Sequence, residues 1–182
     1  MSKTMKALSL WQPWASLMAV GAKKIETRSW PTSYRGLVAI HAAKKWDSEL
    51  ADICFRRPFV DVLSVTPEWQ ERAKAIPFGG PEGLPRGCFV AVGRLSNCIS
   101  TSDHPKLIPA NTTNEYEFGN YAPRRFMWVF DEIWKLSSPV YSRGYQQLWT
   151  PDEGQKDVIF ALLPEEVEHG STEASLEQAQ AN

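Results

Sequence analysis

An α+β fold, built as a small twisted β-barrel or mixed sheet with helices packed outside it, is what the sequence predicts. Three observations carry this: strand-like runs are many and short, helical stretches are few, and turn residues separate most neighbours. A chain of 182 residues that is 43% hydrophobic and 23% charged has the composition of one domain with appendages rather than of a disordered polymer.

The run Lys6-Ala-Leu-Ser-Leu10 alternates well enough for a short strand, and Trp11-Gln-Pro-Trp14 ends it. A short helix follows. Pro13 suits its first position, where the missing N–H costs nothing, and Gly21 suits a left-handed stop. Lys24 to Trp30 then alternates with period two, placing Glu26, Arg28 and Trp30 on one face of a strand and Ile25, Thr27 and Ser29 on the other. After the turn Pro31 to Gly36, Leu37-Val-Ala-Ile-His-Ala-Ala43 reads as a buried strand. Asp47 can cap a helix running to about Arg57, and Pro67 opens a second helix through Ala75. Four Gly and three Pro between Pro77 and Gly87 mark a loop. Cys88 to Leu95 resumes as a strand, and the polar stretch Ser100 to Asn120 is a long loop. Arg125 to Phe130 and Glu132 to Leu136 are strand-like, Tyr145 to Trp149 reads as a helical turn, and Val158-Ile-Phe-Ala-Leu-Leu163 reads as a closing buried strand. Pro164 to Asn182 is acidic, poor in large apolar residues and expected to be disordered. The domain is therefore assigned to 1–163, with a helical insertion at about 47–76 and a tail at 164–182.

No apolar run approaches the ~18 residues that cross a bilayer, and the start of the chain has no secretory pattern. The expectation is a soluble, cytoplasmic protein with no membrane association. Cys54, Cys88 and Cys98 lack metal-ligand spacing and are expected as reduced thiols. No P-loop, dinucleotide fingerprint, Ser-His-Asp order or zinc spacing occurs, so neither a cofactor nor a metal is expected. His41 and Cys88 sit in apolar strands and are expected as core groups.

Charge is unevenly spread. Residues 1–45 hold eight Lys or Arg against the single acid Glu26, while 164–182 hold five Glu and no Lys or Arg. A basic segment of this kind suits an anionic ligand, though it can equally be a solvated face.

Within that segment, Gly21-Ala-Lys-Lys-Ile-Glu-Thr-Arg28 sets an ammonium, a carboxylate and a guanidinium beside a helix stop and a strand start. Such a cluster is either an ordinary ion-pair group or an anion site in which Lys23 and Arg28 bind and Glu26 orients them. Trp11, Trp14 and Trp30 lie nearby in sequence, as a base-stacking platform would, whereas Trp128 and Trp134 sit in core-like patterns.

The spacing G-x-K-x-x-E-x-R, preceded by Leu8-Ser-Leu-Trp-Gln-Pro-Trp-Ala-Ser-Leu17 and followed by Tyr34-Arg-Gly36, resembles the ASCH domain family, whose name refers to homology with a transcription coactivator. Pro85 to Val92, Tyr121 to Trp128 and Arg143 to Trp149 resemble later blocks of bacterial and phage-borne members, so the likeness runs from about Lys6 to Leu163. It implies a PUA-like β-barrel with the motif lining a cleft between the first helix and the barrel. The implied partners are RNA, single-stranded DNA or a nucleotide, and the family motif's lysine and arginine carry over to Lys23 and Arg28; with the neighbouring residues, the candidate ligand set is Lys23, Glu26, Arg28, Gln12, Trp14, Trp30 and Arg35. One bacterial branch hydrolyses N4-acetylcytidine but carries Thr where this chain has Glu26. Binding is therefore the first expectation. A small metal-independent hydrolase or ribonuclease using Lys23 and Glu26 is the alternative, and an adaptor for an acidic protein surface is the third. Oligomeric state is not legible.

Overall fold

The computed structural model describes residues 4–75, 81–164 and 167. Six strands form one sheet: β1 Lys6–Leu10, β2 Ile25–Arg28, β3 Gly36–Ala42, β4 Cys88–Ser100, β5 Phe126–Tyr141 and β6 Leu148–Trp149. Their order is β2-β5-β4-β3-β1-β6, with β1 parallel to β3 and the other neighbours antiparallel. The sheet is bent by register shifts at Ile40/His41 in β3 and at three places along β4, each an irregularity that increases local twist. It curls into a half-barrel with β2 and β6 as its hydrogen-bonding edges. The α+β class is the one expected.

Helix α1, Trp14–Ala19, is buried along Ala15 to Ala19 and covers one face of the sheet, where Leu8, Leu10, Val38, Ile40, Val90 and Trp128 form a core. It stops where the sequence says it should: Gly21 takes φ 74°, and its N–H and that of Ala22 close on Met18 and Leu17. The opposite face, with Ala7, Ala39, Phe89 and Val92, is covered by α6, Glu153–Ala161. A third cluster packs Leu17 and Phe118 against three helices, α2 Ser48–Cys54, α3 Phe59–Leu63 and α4 Pro67–Ala75. Asp47 caps α2 by accepting from Leu50 N at 3.0 Å, as its position suggested.

Several local expectations are corrected. The run Val158 to Leu163 is not a strand: α6 begins on a capping box made by Asp152 and Gln155, and it buries Lys156, Ile159 and Phe160 at helical spacing. A six-residue apolar run has no period of its own, so the cap upstream decides. Tyr145 to Trp149 contributes no helical turn; Leu148 and Trp149 pair with Leu8 and Ala7 as β6. The two strand readings between Arg125 and Leu136 are one continuous β5, and β4 runs five residues beyond Leu95 because β5 pairs with it as far as Ser100. The long loop carries α5, Asn114–Glu117, capped by Thr113. Of the expected tail, Val167 is described and buried in the α6 core; the remainder beyond Pro164 lies outside the described residues. No described helix is long and apolar enough to cross a membrane.

Candidate functional site

A cleft of about 330 Å³ opens where the half-barrel fails to close. One bank is the end of β1 and the start of α1, contributing Ser9, Leu10, Trp11 and Trp14; the facing bank is β2, contributing Glu26, Thr27 and Arg28. The third wall is Glu117 to Asn120 together with Arg125. No backbone ladder joins β2 to β1. Instead Arg28 reaches across the seam and donates from Nη2 to Ser9 O at 3.0 Å, while its Nε lies 3.3 Å from Glu26 Oε1. Arg125 braces the same strand from the other side, donating from Nη2 to Thr27 O at 2.9 Å. Both guanidiniums keep a buried Nε with no hydrogen-bond partner.

Lys23 lies beneath this surface. It is fully buried, and its ammonium donates to Ile25 O and, at 3.1 Å, to Phe118 O. Glu26 and Glu115 stand 3.6 and 3.9 Å from it. Glu115 in turn accepts from the backbone N–H groups of Lys24 and Ile25 at 2.7 and 3.2 Å. The lysine thus ties the long loop to β2 and so holds the wall formed by Phe118 to Asn120. Tyr121 seals the back of the loop, donating to Glu115 O at 3.2 Å; burial first, then the charges of Glu115 and Glu26, push its phenol far up, keeping it a neutral donor.

The other expected ligand residues are distributed around the cleft. Gln12 is fully buried, accepting from Ser16 N and donating to Pro85 O, which fixes the start of α1. Trp30 lies past the end of β2, edge-on to Trp128 with ring centroids 4.6 Å apart. Arg35 is exposed and bonds Thr32 O, Tyr34 O and Asn97. Trp14, Glu26 and Arg28 are the members of the set that line the cleft. The described N-terminal bases therefore do not form a single patch, since folding sends Lys23 inward and engages Lys6 with Thr150 and Lys45 with Asp47.

Sequence reasoning missed Glu115 and Arg125. Arg125 belongs to the Tyr121 to Trp128 block, which was a usable signal. Glu115 had none, because its partners are 90 residues away. His41 is in the core beneath the 142–149 segment, its Nε2 3.1 Å from Ser142 O and its Nδ1 3.4 Å from Ser9 Oγ. Burial lowers its pKa, so the neutral ring, with Nε2–H donated to Ser142, accepts from Ser9. Burial pushes the Cys88 thiol up to about 11. Among the described residues no three of His, Cys, Asp or Glu gather closely enough to hold a metal ion.

Comparison with known proteins gives the lineage of this arrangement. The chain is 30% identical over 142 residues to activating signal cointegrator 1 of Mus musculus and to that of Homo sapiens, covering 74% of this chain and 22% of each relative. It thus spans under a quarter of the length of those proteins. Among solved structures it is similar to the ASCH protein from Zymomonas mobilis, at 12% identity, TM-score 0.46, with 88% of this chain and 96% of that one covered. A point variant of that protein aligns at 10% identity and TM-score 0.48, covering 89% and 100%. The ASCH domain itself matches residues 8–130, the stretch that runs from β1 through the cleft-lining β2 to the middle of β5, and the chain belongs to the ASCH domain family.

Proposed function

We propose that the protein is a nucleic-acid-binding module whose cleft takes one base, with its sugar, from a single-stranded RNA or DNA. The observation that carries this reading is the composition of the cleft: Trp11 and Trp14 line it together with a polar set in which two acids, Glu26 and Glu117, balance two guanidiniums, Arg28 and Arg125. A lining with no net charge suits a flat, uncharged, polar group better than a bare phosphate. A heterocycle meets both needs, since it stacks on indole and offers donors and acceptors at its edge. Glu26 accepts from an exocyclic amino group, Arg28 and Arg125 donate to ring or carbonyl acceptors, and Asn120 can do either. Lys23 and Gln12 act through position: one holds the loop wall, the other the start of α1.

Titrating the protein with the four ribonucleosides and with short single-stranded oligomers, followed by indole N–H signals in NMR, tests the reading. The expected result is saturable shifts for Trp11 and Trp14 that Arg28→Ala abolishes while the fold is retained. Absence of such shifts with every nucleoside overturns it. Running N4-acetylcytidine in the same series separates binding from hydrolysis: turnover lost on Lys23→Met in a folded variant promotes the amidohydrolase.

A further inference from the structure

Beside the cleft, three chain segments are stitched into one rim. Gln12 Nε2 donates to Pro85 O at 2.7 Å, Gly87 N to Ala42 O at 2.6 Å, and Ala43 N to Leu10 O at 2.8 Å. These bonds gather Trp11, Lys44, Lys45, Trp46 and Arg86, which are scattered over 76 positions of sequence. Trp11 is 49% exposed, a costly placement for an indole, and Lys45 Nζ stands 3.9 Å from its ring centroid. Arg86 covers Trp46 in the same manner, its guanidinium carbon 4.8 Å from the ring. The stem of Lys44 lies against Gly87, where φ is +68° and a Cβ would come within 2.8 Å of Lys44 Cε. Lys45 also pairs with Asp47 at 3.6 Å, an acid occupied with the cap of α2 as well.

This rim differs from the cleft in kind. The cleft is charge-balanced and enclosed; the rim is cationic and open, and shares Trp11 with it. We propose that the rim is a second nucleotide subsite, which takes the residue adjoining the base held in the cleft. The assignment rests on the nucleobase reading of the cleft. The second base stacks on Trp11 as Lys45 moves from the ring face to the phosphate between the two residues, and Lys44 carries the phosphate that follows. Cation–π contact is exchanged for base stacking plus a phosphate contact, so the exposed indole and the cations are satisfied together. The ligand is then a single strand of at least two nucleotides, because a duplex offers no free base face.

The test compares a ribonucleoside, followed by NMR, with a labelled single-stranded RNA hexamer, followed by anisotropy across a salt series. The variants are the double substitution Lys44→Gln with Lys45→Gln, Arg28→Ala in the cleft, and Arg94→Gln as a control that removes a cation remote from the rim. Arg94 pairs with Leu37 at the opposite end of β3 from Ala42. All must be fully folded at the assay temperature, as thermal melts show. The double variant is expected to weaken hexamer binding about tenfold and to flatten the salt slope by about 1.4, two contacts at ~0.7 each, while nucleoside binding stays unchanged. Arg94→Gln is expected to change neither. Unchanged hexamer binding in the double variant overturns the proposal, and so does an equal loss of nucleoside and hexamer binding. Competition by a poly-glutamate peptide as strong as by the hexamer overturns it in favour of an acidic protein partner, and equal binding of a duplex overturns the stacking. Hexamer binding that depends on the lysines but is indifferent to Arg28→Ala supports the rim and overturns the cleft reading instead.

Discussion

Lys23 and Arg28 belong to one motif, yet burial gives them opposite parts. Removing the ammonium takes the nearby positive charge from Glu115, leaves Glu26 to Arg28 alone and strips a donor from Phe118 O. Lys23→Met is therefore expected to cost about 3–5 kcal/mol in chemical denaturation. Arg28, with its side chain 25% exposed, sits at the surface of the seam, and Arg28→Ala is expected to cost about 1–2 kcal/mol while removing ligand binding. His41 adds a pH dependence whose sign follows from its burial. Its folded pKa lies below the ordinary 6.5, so its contribution is complete above that value and shrinks as pH falls through it, because the unfolded chain takes up a proton that the folded chain refuses. Denaturation midpoints at pH 7.5 and 5.5 are expected to fall further for the parent than for His41→Gln.

At the scale of elements, two short segments depend on close fit. The segment after β5 lies on His41 so tightly that a Cβ at Gly144 would stand 2.4 Å from His41 Cε1 and 2.9 Å from Ser9 Oγ. Gly144→Ala is expected to displace this segment and lower stability by about 1–3 kcal/mol, with broadened signals at Trp149, which packs on His41. Helix α6 depends on its first residue. Asp152→Ala removes the acceptor for Gln155 N, and a loss of about 1 kcal/mol in thermal or chemical unfolding is expected.

For the whole molecule, the open seam is both the weak point of the sheet and the reason a cleft exists. Side chains and a loop, rather than a ladder, complete the curl between β2 and β1, and the space they leave is about 330 Å³. The α6 face is finished by a residue from the expected tail: Val167 is 3% exposed among Leu163, Phe160 and Met5. Ending the chain after Pro164 is thus expected to lower the melting temperature, by up to about 1.5–3 kcal/mol of lost burial, whereas ending it after Glu168 is not. Two thermal melts check this.

Much of the scaffold was readable in the residues themselves. Period-two runs located β1 and β2, and apolar runs bounded by turn residues located β3 and the first half of β4; Gly21 stopped α1, and Asp47 started α2, because caps, turns and alternation are local properties of a few adjacent residues. The Glu26 and Arg28 side of the cleft was legible for the same reason, since strand geometry alone puts them on one face. Burial was not legible. Nothing near Lys23 in sequence shows that a loop 90 residues later brings Glu115 and the Phe118 carbonyl to it, and so an exposed anion ligand and a buried tether look alike in one dimension. The rim of Trp11, Lys44, Lys45, Trp46 and Arg86 exists through three hydrogen bonds between distant segments. Local rules decide which residues form strands and helices; which charges meet is decided by long-range packing, whose energies no short window of sequence contains.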